Sequence, residues 1–398
     1  MRYHRLGDLP QKRHVQFRDN PNGGSGGTLL TEEVLGFEGF SGNESILYHL
    51  WSPCRVREVG EFTPIVREEW VPQAHQHRIA NTAGVPRAGD PVTGRRLLQF
   101  NSDLEVSLVK PERELEGFFR NGERDEVWFV HEGAGTLRSV FGSVPFRAHD
   151  YVVIPRGTTY TWDLDSDLVA LLIETPGEIE TPKRYRNRYG QLLEGAPFSH
   201  RDFHPPAELE THRERGDFEV TVRVRDGYQR YGLDYHPFDV VGWDGYVYPY
   251  TFNVHDFEPI TGRIHQPPPV HQTFQGQNFV ICSFCPRELD YDPEAIPLPY
   301  HHSNVQSEEM IYYVSGEFGS RKGIEVGSIT LHPSGLPHGP QPGLVEKSLG
   351  ARRTEELAVM WDTFRPMRLT SFWAEVDDPS YAYSWYTEDS AMASSHTG

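Results

Sequence analysis

The sequence predicts a mainly β fold made of two related halves. Short runs of alternating apolar and polar residues recur along the chain, among them "DEVWFVHEG", "DYVVIPRGT", "EEMIYYVSGEF" and "GSITLHPSG". Long helical periodicity is scarce, and 37 glycines and 31 prolines supply turns between the runs. Runs of this length between turn residues are typical of sandwich or barrel sheets. The same order of runs occurs twice, which indicates two halves.

Composition excludes several classes of partner. Of the 398 residues, 37% are hydrophobic and 12% aromatic, which suits a folded protein with a core. The formal net charge of −19 disfavours binding to nucleic acid or to anionic membrane surfaces. No apolar run approaches membrane-spanning length, and three cysteines offer no disulfide framework. We therefore expect a cytoplasmic protein with a small-molecule partner.

A C-x-x-C pair, Cys282 and Cys285, lies in the strand-like run "VICSFCPR". A redox pair of this type normally opens a helix, whereas this one is followed by Pro286. We expect both cysteines to be small buried side chains rather than a redox or zinc pair.

The chain divides into four predicted segments. We assign residues 1–180 to an N-terminal domain, 181–215 to a connector and 216–385 to a C-terminal domain, followed by a flexible tail over 386–398. The connector is polar, with the stretches "TPKRYRNRYG" and "HPPAELETHRERG". The tail contains "EDSAMASSHTG", which is poor in large apolar residues.

An internal repeat relates the two halves. Glu126 is followed by "VWFVHEGAG" and later by "HDYVVIPRGTTYTW", and Glu308 by "EMIYYVSG" and later by "GSITLHPSGLPHG". Each half has a glutamate, an apolar strand, a glycine turn and then P-x-G-x-x-[H/Y], which ends at Tyr160 or His338. These motifs resemble the cupin superfamily, whose members are small jelly-roll barrels. The resemblance implies a bicupin, two cupin-type barrels with irregular connecting segments.

The second half carries a candidate metal site. We interpret "PYHHSNVQSEEM" as a strand on which alternate residues share a face, so that His302 and Glu308 point one way and His301 the other. In the cupin motif, H-x-H is followed after three or four residues by a glutamate. The resemblance therefore adds His338 to the site and puts Asn304 in place of the second histidine. Two histidines and one carboxylate form a facial triad, which suits Fe(II) with open positions for substrate and O2. Manganese stays open as an alternative to iron.

The first half lacks this set of ligands. Arg120 and Gly122 stand where H-x-H would be, Tyr160 replaces the final histidine, and Glu126 remains. We expect this half to bind no metal and to have a structural or oligomerising role.

Longer stretches are similar to the homogentisate 1,2-dioxygenase family. They are "PQKRHVQFR", "EEVLGFEGFSGNESILYHLWSP", "VVGWDGYVYPYTFNV" and "IHQPPPVHQTFQGQNFVICSFCPR". The resemblance implies an Fe(II) enzyme that uses O2 to open the ring of homogentisate (2,5-dihydroxyphenylacetate), which gives maleylacetoacetate in the catabolism of tyrosine and phenylalanine. It also implies a homo-oligomer, either a trimer or a hexamer.

Carried over residue by residue, the resemblance assigns the iron ligands to His302, Glu308 and His338. It assigns to His265 a histidine that contacts the substrate hydroxyl and acts as general base. The bottom-up argument for His265 is its loop position before a proline run, and His271 is its nearest competitor.

Further substrate contacts implied by the resemblance are His332, His338 and Asn304. The family has a tyrosine in the turn after the ligand strand, and this sequence has Phe318 there, so a phenol is lost. Tyr312 or Tyr313, on the preceding strand, could substitute for it.

Two other functions stay open. The lost phenol favours a related ring-cleaving dioxygenase for gentisate or another hydroquinone acid. A different class of protein, a non-oxidative bicupin isomerase or a ligand-binding bicupin, could retain the same barrels without oxygen chemistry.

Overall fold

The computed structural model describes residues 2–20 and 27–386. Within these ranges it contains 32 strands, numbered β1 to β32 in chain order. Strands β1 to β17 are His4–Gly7, Arg18–Asp19, Thr28–Leu29, Thr31–Gly36, Glu44–His49, Glu58–Pro64, Glu69–Trp70, Arg78–Asn81, Arg95–Phe100, Glu105–Val109, Phe118–Asn121, Asp125–Glu132, Gly135–Ser139, Gly142–Phe146, Asp150–Ile154, Thr159–Leu164 and Val169–Thr175.

The remaining strands, β18 to β32, continue the same pattern to the end of the described chain. They are Phe203–His204, Phe218–Val224, Gly227–Leu233, Val240–Gly245, Tyr250–Asn253, Gln272–Gly276, Phe279–Phe284, Arg287–Glu288, His302–Ser303, Glu308–Ser315, Ser328–His332, Pro337–His338, Arg353–Thr354, Leu357–Thr363 and Arg368–Thr370. Helices are short: α1 is Leu344–Ser348 and α2 is Ser371–Val376. The 3-10 turns are Lys183–Tyr185, His200–Asp202, Val254–Asp256, Pro268–His271 and Pro379–Tyr383.

The predicted pair of cupin-type barrels is confirmed. The first barrel is built from a nine-stranded sheet, in the order β18-β22-β15-β12-β17-β10-β9-β32-β7, and a seven-stranded sheet, β14-β13-β16-β11-β19-β20-β6. The main sheet of the second barrel has the order β23-β24-β31-β27-β28-β8. A small antiparallel pair, β26 with β29, adds to the second barrel and carries two of its histidines.

Strand pairing redraws the predicted segment boundaries. Strands between residues 218 and 253 fall in the predicted C-terminal domain, yet they join sheets of the first half. In exchange, β8 lies in the first 180 residues and pairs with β28 of the second barrel. The prediction placed the boundary at the polar connector. Strands on either side of that connector nevertheless pair with free edges of the other half's sheets, which composition alone does not reveal. The predicted tail lies, beyond residue 386, outside the described residues.

Alternation along β12 shows how the two barrels share a core. Val127 and Phe129 enter a large cluster that also holds residues of the second barrel, such as Met310 and Trp361. Trp128, between them, points into the interior of the first barrel. Because both faces of this sheet are buried, its strands read as nearly continuous apolar runs.

Cys282 and Cys285 are both buried, in agreement with their predicted packing role. The thiol of Cys285 donates a hydrogen bond to the carbonyl of Phe257. No helix of the described residues is both long and apolar enough to cross a bilayer.

Candidate metal centre

Two short strands bring the candidate histidines together. β26 and β29 pair antiparallel with His302 opposite His338, and the centroids of their rings lie 4.2 Å apart. β27 begins after a turn over residues 304–307 and places Glu309 between the two rings. Nε2 of His302 lies 3.5 Å from Oε2 of Glu309, and Nε2 of His338 lies 3.2 Å from Oε1.

The donor atoms of this cluster fit a divalent metal ion. One donor atom from each of His302, Glu309 and His338 lies within 4.8 Å of the other two. His338 is 1% exposed, and neither of its ring nitrogens has a hydrogen-bond partner in the part of the chain that the structure describes. A buried imidazole is normally hydrogen-bonded, so an ion that both groups ligate explains the short distance better than a poorly aligned hydrogen bond does.

The electrostatics of Glu309 also suit a cation. Burial of this carboxylate disfavours its charge, but contacts with His302, His332 and His338 outweigh burial and hold the pKa of Glu309 well below its usual range. In turn, the hydrogen-bonding contact with Glu309 raises the pKa of His302. Glu309 is therefore a carboxylate that remains charged inside the barrel.

Glu308, the predicted carboxylate ligand, lies on the other face of β27. Its Oε2 accepts a hydrogen bond of 2.8 Å from the backbone N–H of Met367, and it borders a cleft with Trp70 and His75. The prediction extended strand alternation from His302 through to Glu308, but the turn between β26 and β27 breaks that alternation. The structure therefore brings Glu309, not Glu308, to the histidines.

The internal repeat contained the signal for this correction. Counted back from the glycine turn, the glutamate stands seven residues earlier both at Glu126, before Gly133, and at Glu309, before Gly316. Strand pairing agrees with this alignment. Glu126 faces Ile154 and Glu309 faces His332, and both facing residues come directly before the proline of P-x-G-x-x-[H/Y].

The same register makes Asp125 the counterpart of Glu308. Asp125 accepts a hydrogen bond of 3.0 Å from the backbone N–H of Ile179. Ile179 follows β17, the strand that pairs with β12 in the first barrel and is called its return strand here, as β31 is for β27 in the second. Glu308 holds Met367 in the same way after the return strand of the second barrel. Both acids therefore fasten a loop rather than face the barrel interior.

His332 supports the site from behind. Its Nδ1 lies 2.8 Å from Oε1 of Glu309, its Nε2 lies 3.2 Å from the hydroxyl of Tyr381, and the side chain is fully buried. The contact with a carboxylate acceptor makes Nδ1–H the donor, so the hydroxyl of Tyr381 donates to Nε2. The predicted substrate contact at His332 is thus replaced by a role in orienting Glu309, because both nitrogens are already engaged.

Sequence reasoning missed a pair of histidines from the first half. Nε2 of His75 donates to the carbonyl of Ser334, and Nε2 of His77 donates to that of Pro337. The ring of His77 lies 6.1 Å from that of His338, and burial lowers the pKa of His77 to about 4. The signal available was "HQH", itself an H-x-H, but 225 positions separate it from His302 and only the pairing of β8 brings it near.

His265, the predicted base, lies in the loop before the Pro268–His271 turn. Its ring packs edge-on against Tyr300, two residues before His302, with centroids 5.1 Å apart. Nδ1 of His265 lies 3.6 Å from Oδ2 of Asp290, and the buried Nε2 has no hydrogen-bond partner within residues 2–20 and 27–386. Its competitor His271 is buried against Phe284, and burial lowers the pKa of His271 well below its usual value.

The remaining predicted contacts lie at the rim of the barrel. The backbone carbonyl of Asn304 accepts a hydrogen bond from the N–H of Gly335, which joins the two motif loops. Phe318 packs against Tyr313, with ring centroids 4.7 Å apart. Tyr313 has the strand parity of Glu309, and its hydroxyl lies 3.3 Å from that of Thr330 inside the barrel.

An arginine occupies the corresponding place in the first barrel. Nη1 of Arg95 donates to Glu126 and to Glu174 at 2.9 Å each, and Nη2 donates to the hydroxyl of Tyr160. Pairing of Phe119 with Tyr160 matches that of His302 with His338, so Phe119 and Asn121, rather than Arg120 and Gly122, stand at the H-x-H positions. A guanidinium thus balances the buried carboxylates of this barrel.

A second cluster of potential ligands, His212, Glu214 and His236, lies outside both barrels' interiors. The two imidazoles are stacked, with centroids 3.7 Å apart and planes 8° apart. Their in-plane lone pairs therefore run parallel instead of converging on one ion, and Arg138 lies 3.4 Å from His212.

Comparison with known proteins identifies the family. A family model described as homogentisate 1,2-dioxygenase N-terminal matches residues 103–254, and its C-terminal counterpart matches residues 260–391. The chain belongs to the homogentisate 1,2-dioxygenase family. It is therefore a member of a dioxygenase family, which favours oxygen chemistry over the isomerase or ligand-binding alternatives.

Relatives differ widely in their similarity to this family member. A Saccharolobus solfataricus protein whose name provisionally assigns it as a dioxygenase is 44% identical over 97% of this chain and 99% of its own. Homogentisate 1,2-dioxygenase of Rhodopseudomonas palustris strain BisA53 is 25% identical, over 84% of this chain and 77% of its own. Among solved structures, a cupin 2 conserved barrel domain protein from Leptotrichia buccalis is 10% identical, with a TM-score of 0.33, over 74% of this chain and 99% of its own.

Proposed function

We propose that this protein is an Fe(II)-dependent dioxygenase that opens the ring of a para-dihydroxylated aromatic acid, with homogentisate as the first candidate. The observation that carries the proposal is the cluster of His302, Glu309 and His338, whose donor atoms lie within 4.8 Å of one another at a barrel interior. Two imidazoles and one carboxylate suit a ferrous ion and leave positions for substrate and O2. Membership of the family supports the dioxygenase class.

The chain's own residues prepare this site in three ways. His302, Glu309 and His338 would hold the ion, and His332 orients Glu309 through its Nδ1–H. Burial of Glu309 and His338 excludes water from that side of the site. A bound ferrous ion supplies Lewis acidity for the phenol and a template for O2 beside the ring.

His265 is the proposed general base. Oδ2 of Asp290 lies 3.6 Å from its Nδ1, while Nε2 has no hydrogen-bond partner among the described residues. The ring of His265 packs against Tyr300, which lies on the loop that leads into His302. Nε2 takes or shares the proton of the substrate hydroxyl, a role that suits a neutral imidazole.

Gentisate, or another hydroquinone acid, is the second candidate substrate. Phe318 provides no hydroxyl, and the nearest phenol on the ligand strand, that of Tyr313, is engaged with Thr330. The substrate group that the family's tyrosine would hydrogen-bond therefore meets the apolar ring of Phe318 in this protein. This difference favours a substrate with a shorter side chain.

Oxygen uptake with anaerobically reconstituted Fe(II) protein tests the proposal. Homogentisate, gentisate and hydroquinone are compared by oxygen electrode and by absorbance of the ring-opened product. We expect one of the two acids to give stoichiometric O2 consumption and His265→Ala to lose most of that turnover while retaining iron. Absence of uptake with all three compounds would contradict the proposal.

A further inference from the structure

The two barrels place an acidic pair at equivalent positions of equivalent strands. In the first barrel, Glu126 on β12 faces Glu174 on β17. In the second, Glu309 on β27 faces Asp362 on β31. Residues directly opposite each other in an antiparallel pair project from the same face of the sheet. Asp362 therefore projects from the face that carries Glu309 and the ligand histidines.

In the first barrel the acidic pair shares the guanidinium of Arg95, and Glu174 also pairs with the buried Arg223. Oε1 of Glu126 and Oε1 of Glu174 both accept from Nη1 of Arg95 at 2.9 Å, and all three side chains are at most 5% exposed. Asn121 donates to the same two oxygens. Two buried carboxylates so close together are stable because guanidinium groups compensate their charge.

The second barrel has the acids without the guanidinium. Among the described residues, the buried Oδ1 of Asp362 has no hydrogen-bond partner, and no arginine or lysine forms an ion pair with Asp362 or with Glu309. The position that Arg95 fills in one barrel is therefore the position of the metal centre in the other.

We propose that Asp362 is a second acidic residue of the metal centre, which stabilises the bound divalent ion together with Glu309. This inference rests on the proposed metal centre and extends it from three side chains to four. Asp362 is a positioning residue in this account, because its carboxylate lies outside the group of three that could share an ion directly. It compensates the charge of the ion from the facing strand, as Glu174 does for Arg95.

The test measures Mn2+ affinity of the full-length apoprotein, with free Mn2+ followed by electron paramagnetic resonance. Asp362→Asn keeps the shape and removes the charge, and we expect its dissociation constant to rise about tenfold or more. Asp362→Ser should give the same rise. Glu356→Gln is the matched control, because it removes a carboxylate just before β31 that pairs with Arg287, and its affinity should equal that of the unaltered protein.

Stability of the apoprotein gives a second readout. Removal of one acid from a buried acidic pair should leave the thermal midpoint of apo Asp362→Asn unchanged or raised, while its increase on addition of Mn2+ becomes smaller. A purely structural role predicts the reverse, a lower apo midpoint with an unchanged metal effect. A dissociation constant within twofold of the unaltered protein in both the Asn and Ser variants would overturn the inference.

A third variant separates this inference from the metal centre itself. His338→Ala should abolish Mn2+ binding. If it does so while both Asp362 variants bind normally, only the role of Asp362 is wrong. If His338→Ala binds Mn2+ like the unaltered protein, the proposed metal centre is wrong as well.

Discussion

The carboxylate of Glu309 is the point at which the second barrel's histidines meet. Three imidazole rings, those of His302, His332 and His338, reach it within 3.5 Å. Two of them come from the ends of short strands, and the third orients the carboxylate through a hydrogen bond to Oε1. Adjacent acids on one strand thus have opposite tasks, since Glu309 faces the ligands and Glu308 fastens a loop.

Paired substitutions at these two acids separate their tasks. Glu309→Gln should lose the charge that the ion needs, so that iron content after anaerobic reconstitution falls at least about tenfold. Glu308→Gln should retain full iron content, but lose about 1 kcal/mol of unfolding free energy because its bond to the N–H of Met367 is weakened. Iron analysis and urea unfolding measure the two effects. Normal iron in Glu309→Gln, with loss in Glu308→Gln, would restore the original assignment.

Tyr381 acts on the site through His332. Without its hydroxyl, Nε2 of His332 loses a donor in a fully buried position, and the ring no longer has a fixed orientation toward Glu309. We expect Tyr381→Phe to weaken Mn2+ binding about tenfold. Tyr383→Phe is the control, because Tyr383 is largely exposed and its phenol should not affect the metal. Equal affinities in the two variants would remove Tyr381 from the account.

Among the elements, β12 and β27 show how one strand pattern serves two purposes. Each presents a glutamate to its barrel interior and is flanked by a return strand that carries a second acid. In β12 the charge is balanced by Arg95 from β9, whose guanidinium also reaches Tyr160. The interior of the first barrel therefore holds an ion pair at the position where the second barrel holds the candidate metal ligands.

Loss of Arg95 should destabilise the first barrel without affecting metal binding. Arg95→Met leaves the buried Glu126 without an ion-pair partner, while Glu174 keeps Arg223, and we expect a loss of about 3–5 kcal/mol of unfolding free energy. Arg230→Met is the control, since its ion pair with Glu219 is about half exposed and its loss should leave stability almost unchanged. Chemical denaturation checks both expectations. Equal, small losses would show that the buried Glu126 needs no cation.

The sequence predicted elements better than it predicted registers. Glycine turns and alternating runs located the paired motifs, and the structure pairs His302 with His338, the two histidines that the motifs assigned to one site. The predicted glutamate ligand was wrong by one position, Glu308 instead of Glu309. Residues 304–307 form a turn, and the alternation of side chains along a strand does not continue through a turn. His77 could not be placed at all, since its position depends on the long-range pairing of β8 with β28.

Across the whole molecule, buried charged groups connect sheets that are distant in sequence. His49, at the end of β5, lies between Glu33 of β4 and Asp239, which precedes β21. Burial favours the neutral ring, but the hydrogen bonds to Asp239 and Glu33 outweigh it and raise the pKa of His49 to about 9. The four-stranded sheet that covers the first barrel therefore depends on a protonated histidine.

This raised pKa predicts how stability depends on pH. A group with a raised pKa in the folded state stabilises it fully below its unfolded value, about 6.5, and loses that contribution as pH rises through 9. We expect unfolding free energy to fall by about 3 kcal/mol between pH 6.5 and pH 9 because of His49. Denaturation of the unaltered protein and of His49→Gln at both pH values isolates the effect. A variant with the same pH dependence as the unaltered protein would contradict it.

The position of the ion itself can be measured by anomalous diffraction at the iron edge, on crystals loaded with Fe(II) under anaerobic conditions. We expect one strong peak within coordination distance of His302, Glu309 and His338. A peak ligated by Glu308, or no peak between these two histidines, would contradict it.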